Sequence, residues 1–253
     1  MKKRIYILIV LMSFISCSNE TEIDKNIQVK LKFTHNWDGA SISSSDFNNF
    51  KFINKNGETI SIVRLRYVLS KIMLINGDEI FTFKDYNLIN LGEEKGLTLN
   101  LPEKITAGSY QLKFTFGFAD TDNQDAVYQD LNSTNFGVPG MLGGGYHYMQ
   151  FDGKYKDTNN QNANFNYHTI RAVDRSDTNN LKFQDTSFEV HLGTLGIINN
   201  AEITIKANIA EWFKNPNTWN LNELNTVLMP NFEAQKLMSA NGKTVFSLGD
   251  VTQ

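Results

Sequence analysis

Four histidines are the side chains of this 253-residue chain best suited to chemistry near neutral pH, since imidazole both titrates there and ligates transition metals. They stand in FTHNW (His35), GYHYM (His147), NYHTI (His168) and EVHLG (His191). Met149 follows His147 by two residues, and imidazole with thioether is a donor set for copper, the thioether favouring Cu(I). Every one of these stretches reads as a β-strand, so alternation decides which way each ring points. His35 shares its face with Leu31 and Phe33, and His147 with Met149 and Phe151, which predicts both rings inward. His168 alternates with Asn166 and Ile170, a mixed face, and His191 with Ser187 and Glu189, a solvent face. A lone inward histidine is normally a hydrogen-bonded core residue. Two in one β domain, one beside a methionine, also suit metal ligation, so both readings stand.

Other chemistry finds less support. There is no G-x-S-x-G elbow, and the single cysteine sits in the N-terminal leader, so neither a serine nor a cysteine nucleophile is indicated. The reading is of a protein that is not an enzyme. Asp120, Asp122 and Asp125, with Asn123, make an oxygen-rich loop in ADTDNQDAVYQD. It suits either a solvated turn or a calcium loop, but lacks the glycine and distal glutamate of an EF-hand. Gly143, Gly144 and Gly145 are followed by no Lys-Ser or Lys-Thr and open no helix, so they read as a hinge before a strand rather than a phosphate loop.

The elements that must carry these residues are short and numerous. IQVKLKFTH alternates cleanly from Ile27 to His35, and FKFIN, YVLSKIMLI, IFTFKDYNLI, LTLNL, YQLKFTFGFA, YHYMQFDG, FNYHTIRAV, SFEVHLG and AEITIKANI follow. NKNG and INGD between them suit tight hairpins. The expectation is an all-β fold, an antiparallel β-sandwich or barrel, closed by one short C-terminal helix. That helix is read from Asn231 through Leu237 and Met238, with ANG as its stop.

The chain opens with Lys2, Lys3 and Arg4, an apolar run from Ile5 to Ile15, then Ser16 and Cys17, the pattern of a secretory signal too short to span a membrane. FISC resembles a bacterial lipobox, so residues 1–17 read as a lipoprotein signal peptide ending at a lipidated Cys17. Residues 18–26 are polar and read as a flexible tether, leaving 27–253 as a single β domain. The lipid makes the membrane a partner and the outer membrane of the cell envelope the expected location. A net charge of -3 with no basic block argues against nucleic acid as a partner.

FTHNWDG, ETISIVRLRYVLSKIML, YNLINL, ITAGSYQLKFTFGFADTDN, GYHYMQFDGKY, FNYHTI and AQKLMSANGKTVF occur in the order seen in MbnP-like proteins, secreted and often lipid-anchored bacterial proteins. The resemblance extends over nearly the whole mature chain. It implies copper binding in the periplasm or at the cell surface, with a site built from histidines and, in some relatives, a tryptophan oxidised by a di-haem peroxidase-like partner. The family histidine of the tyrosine-rich strand falls on His168, and that of the first strand on His35. His147 and His191 are not family positions. Relatives carry a Met-x-Trp-x-Trp stretch where this chain has Met141, Leu142 and three glycines, so Trp37, two residues from His35, becomes the candidate site-lining ring or else packs the core edge. A reading of another class is a non-enzymatic surface sandwich that binds ligands or adheres through its long loops, with structural histidines.

Overall fold

In the first strand the alternation is realised: Val29, Leu31, Phe33, His35 and Trp37 are buried, while the residues between them reach solvent. The computed structural model describes residues 26–253; the leader, Cys17 and residues 18–25 of the tether lie outside the described residues. In chain order the strands are β1 (Val29–Trp37), β2 (Ala40–Ile42), β3 (Phe52–Ile53), β4 (Thr59–Asn76), β5 (Glu79–Asn90), β6 (Thr98–Asn100) and β7 (Gly108–Phe116). After a long connection come β8 (Met149–Lys156), β9 (Asn162–Thr169), β10 (Ala172–Asp174), β11 (Lys182–Gln184), β12 (Phe188–Ile197), β13 (Ala201–Asn208) and β14 (Phe246–Thr252).

Two main sheets result, and neither closes into a barrel, so the fold is an all-β sandwich. One sheet runs β14-β13-β1-β2, with β6 also on β1; the other runs β12-β7-β4-β8-β9, with β3 and β5 also on β4. Pairing is antiparallel except between β1 and β13, which run parallel in register from Val29 with Ala201 to Asn36 with Asn208. Aromatic side chains fill the space between the sheets. Phe246 of β14 meets Tyr67, Phe114 and Phe116 at ring separations of 5.9, 5.3 and 6.0 Å. Trp212 and Trp219 are buried and meet Tyr167 at 6.0 and 4.7 Å.

The second sheet divides at Val68. Its N–H donates to the Tyr148 carbonyl and its carbonyl accepts from the Gly117 N–H, so one edge of β4 passes from β8 to β7 at this residue. The chain between, residues 117–148, leaves through that fork and folds back over the sheet. It carries a five-residue helix, α1 (Gln129–Ser133), where only loop was expected. Tyr67, Met149 and Thr169 stand abreast across β4, β8 and β9 and face the core. Arg66, Gln150 and His168 stand one step along, so they share the opposite, outer face.

The C-terminal helix α2 (Phe232–Gly242) starts as read, with the Asn231 side chain accepting from the Ala234 N–H at 3.0 Å. It also stops where ANG placed the end, at Gly242. Gly242 is the last helical residue, and a Cβ there would come within 2.5 Å of the Phe188 ring. The hairpins form where NKNG and INGD placed them; the second is a two-residue loop of Gly77 and Asp78.

Candidate metal centre

His147 and His168 are brought together. Their ring centroids lie 5.3 Å apart and the planes cross at 82°. His168 projects from β9 onto the outer face of the second sheet, where its Nε2 donates to Asp152 Oδ1 at 2.8 Å. Asp152 comes from β8 and also accepts from Asn166 Nδ2 at 2.6 Å and from Arg64 Nε. Burial pushes the Asp152 carboxyl up, but these hydrogen bonds prevail and hold it down at about 2. With Nε2 engaged by the carboxylate, the neutral His168 ring carries its lone pair on Nδ1.

His147 reaches this face by leaving the ladder. Alternation predicts it beside Met149, but β8 begins at Met149, and the residues before it follow the 117–148 connection through an isolated bridge between Gly137 and Tyr146. The Phe136 carbonyl accepts both the backbone N–H of His147, at 2.9 Å, and its Nδ1–H, also at 2.9 Å. A carbonyl can only accept, so Nδ1 carries the proton and Nε2 the lone pair. Burial, partly offset by that hydrogen bond, pushes the imidazole down to about 4. Nε2 faces the sulfur of Met229 at 3.2 Å.

The remaining candidates stand elsewhere. His35 is buried against Tyr67, its Nε2 lying 2.9 Å from the Tyr67 hydroxyl. Tyr67 points to the core face and His168 to the outer face, so the second sheet lies between the two histidines read as family ligands. Met149 is fully buried on the core face, away from His168. His191 is exposed beside Glu189, as its alternation predicts. Trp37 stacks on Phe52 and Phe213 at 5.0 and 5.8 Å and donates its indole N–H to the Ile53 carbonyl.

Each aspartate of the acidic loop is committed to a different partner. Asp120 sits 3.6 Å from Arg171, Asp122 is 2.7 Å from Lys71 Nζ, and Asp125 accepts the Gly145 N–H at 2.7 Å. Crowding from three neighbours explains the triple glycine: a Cβ on Gly143 would meet the Phe183 ring and one on Gly145 the Asn123 side chain. Gly143, Gly144 and Gly145 have φ of 94°, 66° and 76°, and a Cβ on Gly144 would run into the Asp125 carboxylate. The segment is clamped by the acidic loop instead of acting as a hinge.

Sequence reasoning missed Met229, Asp152 and Arg64. Asp152 was within reach, because it alternates with Gln150, Lys154 and Lys156 on the polar side of β8; Arg64 was not, since Ile60 and Ile62 share its alternation in β4 and a bulge intervenes before it. Met229 had no signal: it lies in VLMPN, between elements and 82 residues from His147. Among the described residues no group of three or more His, Cys, Asp or Glu side chains is placed to hold a metal ion.

A two-sheet all-β protein with a histidine pair between one sheet's outer face and a covering connection is the class that fold and site define. The MbnP family model matches residues 26–230, and the chain belongs to the MbnP family. Among solved structures, MbnP from Methylosinus trichosporium is similar at 11% identity and a TM-score of 0.45, over 70% of this chain and 75% of that one. Comparison with curated proteins gave no match.

Proposed function

We propose that this MbnP-family chain is a lipid-anchored copper-binding protein of the cell envelope, tethered through Cys17 to the outer membrane, that holds or hands on copper through His147 and His168. Its work is binding and release, with no bond-making reaction. The observation that carries the reading is the histidine pair. Two imidazoles meet at 5.3 Å, and each has one ring nitrogen engaged by a protein oxygen, leaving the other as a donor. Family membership supports the same reading. The pair differs from the set carried over by resemblance, because His147 takes the place there given to His35.

Copper titration of the purified protein, with His147→Ala and His168→Ala beside it, tests this. Binding by the parent and loss in both variants is expected; unchanged affinity in both would refute it. A second reading, surface ligand binding without metal, is favoured by a cleft of about 320 Å³ lined by Lys71, Asp85, Tyr86, Phe118, Asp122 and Tyr128. It takes over if the protein binds copper in neither oxidation state.

A further inference from the structure

The contact between His147 and Met229 has no ordinary explanation as a hydrogen bond. Nδ1 donates to the Phe136 carbonyl, so Nε2 in the neutral ring has no proton to offer, and a thioether sulfur has none either. Two lone pairs therefore face one another at 3.2 Å. A cation bound to both atoms would remove the repulsion between them. A small first-row ion holding nitrogen at about 2.0 Å and sulfur at about 2.3 Å in tetrahedral geometry sets the two about 3.5 Å apart. The separation found is close to that.

A second observation concerns how Met229 is held. Val227, two residues before it, has φ of 57°, a left-handed conformation that a β-branched residue adopts only under constraint. The constraints lie on either side. The Asn225 carbonyl accepts the Asn166 N–H at 2.7 Å, and the Leu228 carbonyl accepts Gln235 Nε2 at 3.0 Å. Asn166 belongs to the strand that carries His168, so one strand fixes both the ring and the loop that presents the sulfur. Met229 also packs against the satellite apolar cluster of Val138, Leu142, Ile170 and Val173.

We propose that Met229 completes the centre as a third ligand and makes it selective for copper in the monovalent state. This rests on the copper reading above and deepens it. The donor set is two neutral imidazoles and a thioether. The nearby carboxylate, Asp152, is already committed to Arg64, Asn166 and His168. Thioether sulfur favours the softer ion. A site with no anionic ligand, near the Arg64 and Arg66 guanidinium groups, favours the lower charge. The apolar packing of Met229 acts the same way, since poor solvation penalises a divalent ion more.

The test uses Ag(I), a redox-inert stand-in for Cu(I), with methionine methyl groups labelled with carbon-13. On stoichiometric Ag(I) the Met229 signal is expected to shift while those of Met73, Met141, Met149 and Met238 hold. Met229→Leu should lower Cu(I) affinity about tenfold or more and leave Cu(II) affinity within about twofold, with Met149→Leu changing neither. Copper bound with no Met229 shift, or with equal losses of both ions in Met229→Leu, overturns the assignment and leaves the copper reading standing. A parent protein that binds neither ion fails the copper reading itself. The methyl readout needs no variant, so it holds even if Met229→Leu folds poorly.

Discussion

The Nε2 of His168 lies 2.8 Å from Oδ1 of Asp152, and that carboxylate is held in turn by Arg64 and Asn166. Asp152 thus sets the tautomer and orientation of a ring it need not share with any metal. Carboxylates that hold a ligand ring in this way change metal affinity by about 10–100-fold when removed. Asp152→Asn is expected to weaken copper binding by that order with the fold retained. Competition against a chromophoric chelator, with circular dichroism as the fold control, checks it. Unaltered affinity would show that the carboxylate serves only the sheet.

Acid should destabilise the metal-free protein in a definite window. Burial holds the His35 ring down to about 4, against an ordinary value of 6.5, and His147 likewise to about 4. Between these limits the unfolded chain takes up protons that the native chain refuses. Stability is therefore fully present above about pH 6.5, falls as pH drops toward 4, and levels off below. The two shifts are worth roughly 3 kcal/mol each at most. Denaturant midpoints measured from pH 7.5 to 4.5 should trace this slope, and His35→Gln should reduce it by one proton's share. An identical slope in that variant would remove His35 from the account.

Much of the fold was legible because alternation and turn chemistry are local. IQVKLKFTH gave the inward face of β1, Gly77 fell at its hairpin, and Asn231 capped its helix. The site was less legible, since it depends on where alternation fails. His147 looked inward with Met149 only while the strand was taken to run through both; it ends between them. No local pattern marks that end, which is set by the fork at Val68 and by the bridge from Gly137 to Tyr146. Met229 was out of reach for a related reason, as its position follows from tertiary contacts of the loop around Val227. The partnership of His35 and His168 inferred by resemblance takes no account of the sheet between them.

The fork itself is testable at Gly117. Its φ is 78°, and a Cβ there would meet the Tyr148 ring, whose backbone carbonyl bonds to Val68. Gly117→Ala combines a left-handed backbone with overpacking in a buried aromatic site, and a loss of about 3 kcal/mol or more is expected. Gly39→Ala is the control. Gly39 has φ of 91° but nothing within 4 Å of its Cβ position, so only the backbone penalty of about 1 kcal/mol applies. Thermal melts of the two variants should differ clearly. Similar melting temperatures would mean that Tyr148 moves aside and the fork is looser than it looks.

Glu58 tests whether the segment leading to Met229 is held from a distance. This carboxylate is buried at the β3–β4 hairpin and accepts from Asn54, Asn56 and Asn222 side chains and from the Leu221 N–H. Its partners at 221 and 222 belong to the stretch that continues to Val227 and Met229. Removing it leaves several buried or half-buried donors without an acceptor, at a cost of about 3 kcal/mol. Glu58→Ala is therefore expected to lower the denaturant midpoint. Because the Asn225 and Leu228 anchors are separate, His147 and His168 should still bind copper. Amide hydrogen exchange should rise across 220–224 and remain slow in β8 and β9. Uniform exchange throughout would instead assign Glu58 to global stability, with no local hold on the methionine loop.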